Sequence, residues 1–327
     1  MRPDGFRPSQ ASRVRRGELT FDGGSCHKKG PWAVFTGMND SSVIFESLRQ
    51  RLFGVAYRML GSRAEAEDIL QEAYLRWHGV AADEVRSPEG WLVTTVTRLC
   101  IDHLRLARTA RETYVGPWLP EPLVGDASSS VDAKAELASN LSIAFLVVLE
   151  RLTPDERAAF LLREVFDSDY AEIAQVLGKS EAACRQIASR ARRRVHEQKP
   201  QVEVSDVARK ALLDRLVQAI MTHDKDALLS LFANEASWTS DGGGKARAAR
   251  RVIRGGERVA RFVLAVLGRH TDKFVFTPVR INGEAGLAIE ADGRVFSVIS
   301  IGTDGERILD VFTVLNPDKL PQLRNRR

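Results

Sequence analysis

Residues 169–187, Asp169-Tyr170-Ala171-Glu172-Ile173-Ala174-Gln175-Val176-Leu177-Gly178-Lys179-Ser180-Glu181-Ala182-Ala183-Cys184-Arg185-Gln186-Ile187, decide how the chain is read. Asp169 and Glu172 have capping-box spacing, which starts a helix by satisfying two orphan amides reciprocally. Gly178 ends that helix after about eight residues and Ser180 caps a longer one. A short helix, a glycine turn and a second helix make helix-turn-helix spacing. Ile173, Leu177, Cys184 and Ile187 supply a mutual core, and Ala174 is small where the helices cross. Cys184 reads as a small buried hydrophobe rather than a reactive thiol. The second helix becomes strongly basic. In such a unit its first turns face base edges in the major groove, and arginines further along reach phosphates. Ser180, Glu181, Arg185, Gln186, Ser189 and Arg190 are therefore the candidate base readers. Arg192, Arg193 and Arg194 are candidates for positioning. The competing reading is a helical hairpin with a solvated charged face.

Working upstream, Thr153-Pro154-Asp155-Glu156 is a further capping box with proline in the first turn. It places a second all-helical domain at residues 132–199. Another occupies residues 39–108. There Ile44, Leu48, Leu52, Val55, Ala56, Met59 and Leu60 recur at helical spacing until Gly61. Ser62 and Glu65 read as a capping box for a helix with the stripe Ala66, Ile69, Leu70, Ala73, Tyr74 and Trp77. Ser87 and Pro88 open a third helix, on which Arg98, Arg105 and Arg108 share one side. Residues 109–131 read as a linker, extended at Trp118-Leu119-Pro120-Glu121-Pro122 because proline disfavours helix at the residue before it. Residues 1–38 mix Gly, Pro, Arg and Ser without periodicity, with seven basic residues against three acidic, and read as a disordered extension.

Downstream, residues 200–327 change texture. Two helices precede a short strand at 236–239, the loop Asp241-Gly242-Gly243-Gly244-Lys245 and another helix. Alternating segments follow at 274–281, 286–290, 295–301 and 308–315, with Asp292-Gly293 and Asp304-Gly305 as hairpin turns. Helices first and an antiparallel meander after them describe a separate α+β domain. The glycine loop lacks the spacing and the Ser/Thr of a P-loop. Asp241 and Lys245 read either as an acid/base pair in a pocket or as a surface ion pair closing a tight turn. His223 reads as a helix-end residue.

The 327 residues carry 48 Lys+Arg against 43 Asp+Glu, a net charge of +5, and 44% hydrophobic residues, enough for two or three domains with real cores. No apolar run approaches the length that spans a bilayer, and the first residues have no apolar secretory core. Three scattered cysteines make no disulfide framework and no zinc spacing. The expectations are a cytoplasmic protein with no membrane partner, no cofactor, no metal and no catalytic residues.

Several segments together resemble a known family. Ala64-Glu65-Ala66-Glu67-Asp68-Ile69-Leu70-Gln71-Glu72-Ala73-Tyr74-Leu75-Arg76-Trp77 is similar to conserved region 2 of bacterial RNA polymerase sigma factors. Pro88-Glu89-Gly90-Trp91-Leu92 and Asp102-His103-Leu104-Arg105 resemble the segments that follow it. Leu152-Thr153-Pro154-Asp155-Glu156-Arg157 resembles the start of region 4. The short spacer points to the extracytoplasmic-function class. Residues 206–320 resemble a SnoaL-like domain of NTF2-like fold. One subgroup of the class carries this extension, with motifs matching residues 118–122, 241–245 and Asn316-Pro317-Asp318-Lys319-Leu320. The resemblance implies core RNA polymerase and promoter DNA as partners, with a small ligand of the C-terminal domain as a further candidate. It implies Asp68, Gln71, Glu72 and Arg76 at the polymerase, and the helix-turn-helix at the −35 element. Arg86, Arg98, Asp102, Arg105 and Arg108 are the candidates at the −10 element. It also implies regulation in cis by the extension, with no separate anti-sigma factor. The alternatives are a SnoaL-type cyclase or isomerase fused to a DNA-binding module, and a dimeric helix-turn-helix repressor.

Overall fold

The computed structural model describes residues 40–80, 85–126, 142–197, 204–268 and 272–320. The expectation for residues 1–38 lies outside the described residues, as do residues 127–141 of the linker and the second helical domain. The first unit is three helices, α1 (Asp40–Leu60), α2 (Arg63–His78) and α3 (Pro88–Glu112). Their stripes meet as read, with Leu52, Met59, Ala66, Leu70, Trp77, Leu92 and Cys100 all buried. α3 runs four residues past the expected end at 108. The Ser62–Glu65 box is only half formed. Ser62 Oγ accepts the Glu65 amide at 3.4 Å. The reciprocal carboxylate comes from the linker, where Glu121 Oε2 accepts the Arg63 amide at 2.8 Å and the Ser62 hydroxyl at 3.2 Å. A carboxylate at the positive end of α2 is favourable, and it ties the linker to the first unit.

The second unit holds α4 (Ile143–Leu149), α5 (Pro154–Glu164), α6 (Tyr170–Leu177) and α7 (Glu181–His196). Both of its capping boxes form in full, Ser180 caps α7, and Gly178 takes the left-handed conformation at φ 63°. Cys184 is buried as expected, and burial pushes its thiol pKa up. The two helical units share one continuous apolar core. Arg157, only 2% exposed, crosses between them, donating to Met59 O and to Glu150, each at 2.6 Å.

The third unit has α8 (Asp206–Met221), α9 (Lys225–Leu231), β2 (Phe232–Asp241), β3 (Ile253–Arg254), α10 (Gly256–Val266), β4 (Val275–Ile281), β5 (Glu284–Ala291), β6 (Arg294–Thr303) and β7 (Ile308–Val314). β4 to β7 form the expected meander. The sheet is mixed because β2 pairs parallel with β7, and with β1 (Val124–Asp126) at one edge the order is β1-β4-β5-β6-β7-β2-β3. This is the sheet-and-helix domain that the SnoaL-like resemblance implies. Asp292-Gly293 makes a two-residue turn with both residues at positive φ. Asp304 instead opens a four-residue connection, and its carboxylate accepts the amides of Arg307 and Glu306, which hold its pKa down.

Two features tie this domain to the rest of the chain. Linker residues Val124–Asp126 form a strand, β1, antiparallel to β4. The sheet is also buried on both faces. Leu287, Ile289, Ile299, Ile301 and Val311 face α8, α9 and α10. Ala288, Val298, Phe312 and Val314 point the other way and pack on Leu119 of the linker and Ile143 of α4. Period-two alternation means each face needs its own cover. Here the second cover is the linker and the second helical unit.

Asn282 joins the three parts at the β4–β5 turn. It sits at φ 53°. Its side chain accepts the Leu123 amide at 2.9 Å and donates to the Tyr57 hydroxyl at 2.8 Å, while Tyr57 donates to Glu121 O at 2.6 Å. Asn282→Ala is expected to cost about 2–4 kcal/mol, from the left-handed conformation and the orphaned buried groups. Asn282→Gly should recover only the backbone share. Urea-denaturation midpoints of the two variants check this order.

Candidate nucleic-acid interface and its latch

α7 presents Ser180, Glu181, Arg185, Gln186, Ser189 and Arg190 on one exposed face. They stand clear of the core because Cys184, Ile187, Ala188 and Ala191 turn the opposite stripe into it. Arg185 is steadied by Glu181 at 2.7 Å and lies 5.1 Å from the centre of the Tyr170 ring. Arg192 pairs with Glu164 and Arg194 with Glu156, so these two also hold α7 on α5. Arg193 is exposed.

On α2, Asp68, Gln71, Glu72 and Arg76 are all exposed, opposite the buried stripe. Glu72 and Arg76 pair at 2.9 Å. Leu75, 61% exposed, sits among them and escapes a sequence reading, because a lone leucine on a charged face carries little signal.

The third set does not present a free face. Arg86 and Asp102 are exposed. Arg98 donates to Val176 O at 3.2 Å and Gln175 O at 2.5 Å, at the end of α6. Arg105 pairs with Asp155 at 3.0 Å as well as with Asp102 at 3.4 Å. Both arginines thus hold the second helical unit. The side chain of Arg108 lies outside the described residues.

The three motifs 118–122, 241–245 and 316–320 meet at one point. Asp241 is fully buried at the end of β2. Its carboxylate accepts from Tyr114 at 2.5 Å, from the Leu119 amide at 2.9 Å and from Lys319 Nζ at 2.8 Å. Lys319 also donates to Leu119 O at 2.7 Å and lies 4.1 Å from the Trp118 ring centre. Asn316 donates to the Tyr114 hydroxyl at 3.0 Å. Gly243, at φ 59°, lets the loop pass where any side chain would overlap Asn316. Burial and the hydrogen bond to Asp241 push the Tyr114 hydroxyl pKa up, so it stays a donor.

The Asp241–Lys245 pair read from the sequence is therefore replaced by crossed partners. Asp241 takes Lys319, and Lys245 takes Asp318 at 2.5 Å. Tyr114 escapes the sequence reading, although it precedes the Trp118 motif by only four residues. His223 sits at positive φ and hydrogen-bonds Gly268 O at 2.5 Å. Among the described residues no group of three His, Cys, Asp or Glu is placed to hold a metal ion. Among them no helix is long and apolar enough to cross a membrane.

Comparison with known proteins places the chain among relatives. The Sigma-70 region 2 family matches residues 44–109, and the Sigma-70, region 4 family matches residues 142–195. The ECF RNA polymerase sigma factor SigJ of Mycobacterium tuberculosis is 40% identical over 289 residues, covering 84% of this chain and 91% of that protein. The probable ECF RNA polymerase sigma factor SigI of the same species is 30% identical over 290 residues, covering 86% and 96%. The crystal structure of the M. tuberculosis extracytoplasmic function sigma factor SigJ superimposes with a TM-score of 0.68 at 38% identity, covering 85% of this chain and 97% of that one.

Removing one partner of a buried ion pair strands the other charge. Lys319→Met is therefore expected to cost about 3–5 kcal/mol. Adding Asp241→Asn should recover part of the loss. Urea midpoints check the energies. Limited proteolysis checks the mechanism, with cleavage at residues 113–123 faster in Lys319→Met than in the double variant.

Proposed function

The chain belongs to the extracytoplasmic-function RNA polymerase sigma factors, and from that premise we propose that its C-terminal domain regulates it in cis by holding the region 4 module closed against region 2. As a member of that family it is a promoter-recognising alternative sigma factor, a transcription factor that works on core RNA polymerase. In our reading Asp68, Gln71, Glu72 and Arg76 meet the polymerase. Ser180, Glu181, Arg185, Gln186, Ser189 and Arg190 read the −35 duplex, with Arg192 and Arg193 on its backbone. Arg86, Arg98, Asp102, Arg105 and Arg108 take the −10 element, whose bases leave the stack before they are bound as single strand.

The observation that carries the closed reading is Arg98, held by carbonyls of the helix-turn-helix while assigned to the other promoter element. Distance supplies the physical reason to open. Elements about 25 base pairs apart lie roughly 85 Å apart along B-DNA. A packed body of about 160 residues has a radius of gyration of only about 15 Å. The two modules cannot share one core and reach both elements at once. Fully extended, the chain between Asp126 and Ser142 reaches at most about 55 Å, so region 4 can move a long way while the rest stays latched.

In this reading the latch at Asp241 keeps region 2, the linker and the C-terminal domain as one body. Region 4 leaves when α4 lifts Ile143 from the sheet and the arginines of α3 exchange protein partners for phosphates. The polymerase, the promoter or a small ligand shifts the balance by binding the open form better. No separate anti-sigma factor is needed to keep the closed form closed.

Ile143→Ala should weaken the closed form alone, since the side chain covers the sheet only there. A large-to-small change at such a site costs about 2–5 kcal/mol. In transcription with purified core polymerase, the variant should give several-fold more transcript at limiting sigma and converge with the parent at saturation. Superimposable titration curves would contradict the reading.

A further inference from the structure

Residues 245–261, Lys245-Ala246-Arg247-Ala248-Ala249-Arg250-Arg251-Val252-Ile253-Arg254-Gly255-Gly256-Glu257-Arg258-Val259-Ala260-Arg261, hold seven basic side chains and one acidic, so the remainder of the chain is close to neutral. All seven are exposed. Lys245 pairs with Asp318, and Arg261 lies 3.5 Å from Glu257. Among the described residues, Arg247, Arg250, Arg251, Arg254 and Arg258 make no ion pair. Neither the polymerase face nor either DNA-reading set uses this stretch.

Its position is informative. The loop forms one wall of an open cavity of about 580 Å³, and Val115 and Gly116 form part of the other. A side chain on Gly116 would lie 3.9 Å from the Arg250 backbone. Gly116 follows the end of α3 by four residues, so Arg247 and Arg250 lie beside the segment that leaves the helix carrying Arg98 and Arg105. The Asp241 latch fixes the loop to the linker, and Glu121 fixes the linker to region 2.

Two kinds of anion would suit such a surface, and the geometry separates them. A small phosphate compound needs convergent, preorganised donors. The amides of Lys245 and Ala246 are already spent on Gly242 O, each at 3.0 Å, so the glycine loop is no phosphate cradle. Single exposed ion pairs are worth only about 0–1 kcal/mol each. A polyanion is different, because each phosphate neutralised releases condensed counterions.

We propose that the arginine-rich loop of the C-terminal domain binds the phosphate backbone of promoter DNA flanking the −10 element. It adds affinity without reading sequence. The domain is then a third DNA-contacting part of the molecule. The inference does not need the closed arrangement, because the loop is carried by region 2 whether region 4 is docked or not.

The test is promoter binding by the reconstituted holoenzyme across a potassium chloride series. The parent is compared with Arg247→Gln, Arg250→Gln, Arg251→Gln, Arg254→Gln combined. These side chains are exposed, and a matching thermal midpoint and polymerase affinity establish that the variant is folded. The plot of log affinity against log salt should become shallower by about 0.9 for each phosphate that the variant leaves unneutralised, about two to four phosphates in all. At low salt, binding should weaken about tenfold or more, equally for promoter and unrelated duplex. An unchanged slope overturns the proposal. So does a weakening confined to one promoter sequence, which would mean base reading. Calorimetry with inorganic pyrophosphate and the free protein covers the other anion. Micromolar binding that is absent in the variant, beside an unchanged DNA slope, would assign the cavity to a small ligand and overturn it as well.

Discussion

Among the described residues Asp241 is the carboxylate wholly out of contact with water, and the arrangement of the molecule follows from how its charge is met. Taking such a group from water costs several kcal/mol unless good hydrogen bonds and a counter-charge replace the lost hydration. Here the replacements come from two places. Lys319 belongs to the C-terminal domain, whereas the Tyr114 hydroxyl and the Leu119 amide belong to the linker. The domain's own buried charge is therefore satisfied only when the linker is seated. Glu121, two residues further on, caps α2 of region 2. Tyr57 and Asn282 close the same circuit from the opposite side. The linker acts as a structural element, with its ends built into the domains on either side.

The seam to region 4 has a different chemistry. Its polar members on α3 are cations, Arg98 and Arg105, and DNA phosphates can satisfy a guanidinium at least as well as a protein carbonyl does. The latch carboxylate has no such substitute, because a polyanion repels it. In the proposed opening, the promoter that draws the arginines out of the region 4 seam would leave the Asp241 latch intact. The apolar part of the seam, the core shared by the two helical units together with Ile143 on the second face of the sheet, sets the resistance to opening. Charge thus decides which joint gives, and apolar area decides how readily.

Much of this is legible in the sequence because local rules and tertiary structure agree. The capping boxes at Thr153 and Asp169, the turn at Gly178 and the stripe on α2 all fold as their spacing implies. The three short motifs are recognisable, but their meeting is not. Asp241 and Lys245 are neighbours in sequence and exchange partners across the fold. Half of the α2 cap is supplied by a residue 58 positions away, which no local pattern encodes. Asn282-Gly283 carries a stronger hairpin signal than the two Asp-Gly pairs that stand out from the meander. The consecutive apolar residues Leu287-Ala288-Ile289 and Val311-Phe312 are signs of a sheet buried on both faces. They point to a cover beyond the domain's own helices. The engagement of Arg98 leaves no trace in the sequence, since an arginine that caps another module's carbonyls looks the same as one awaiting a phosphate.

The central claim is that region 4 moves while region 2 and the C-terminal domain stay together. Spin-label distances test it most directly, with one pair at A64C and A182C and a second at A64C and R294C, in the free protein and in the complex with core polymerase and promoter DNA. The account predicts that the first distance lengthens by tens of ångströms, roughly the reach of the released linker segment, and that the second stays the same. A first distance that does not change, or a second that grows with it, would contradict the account.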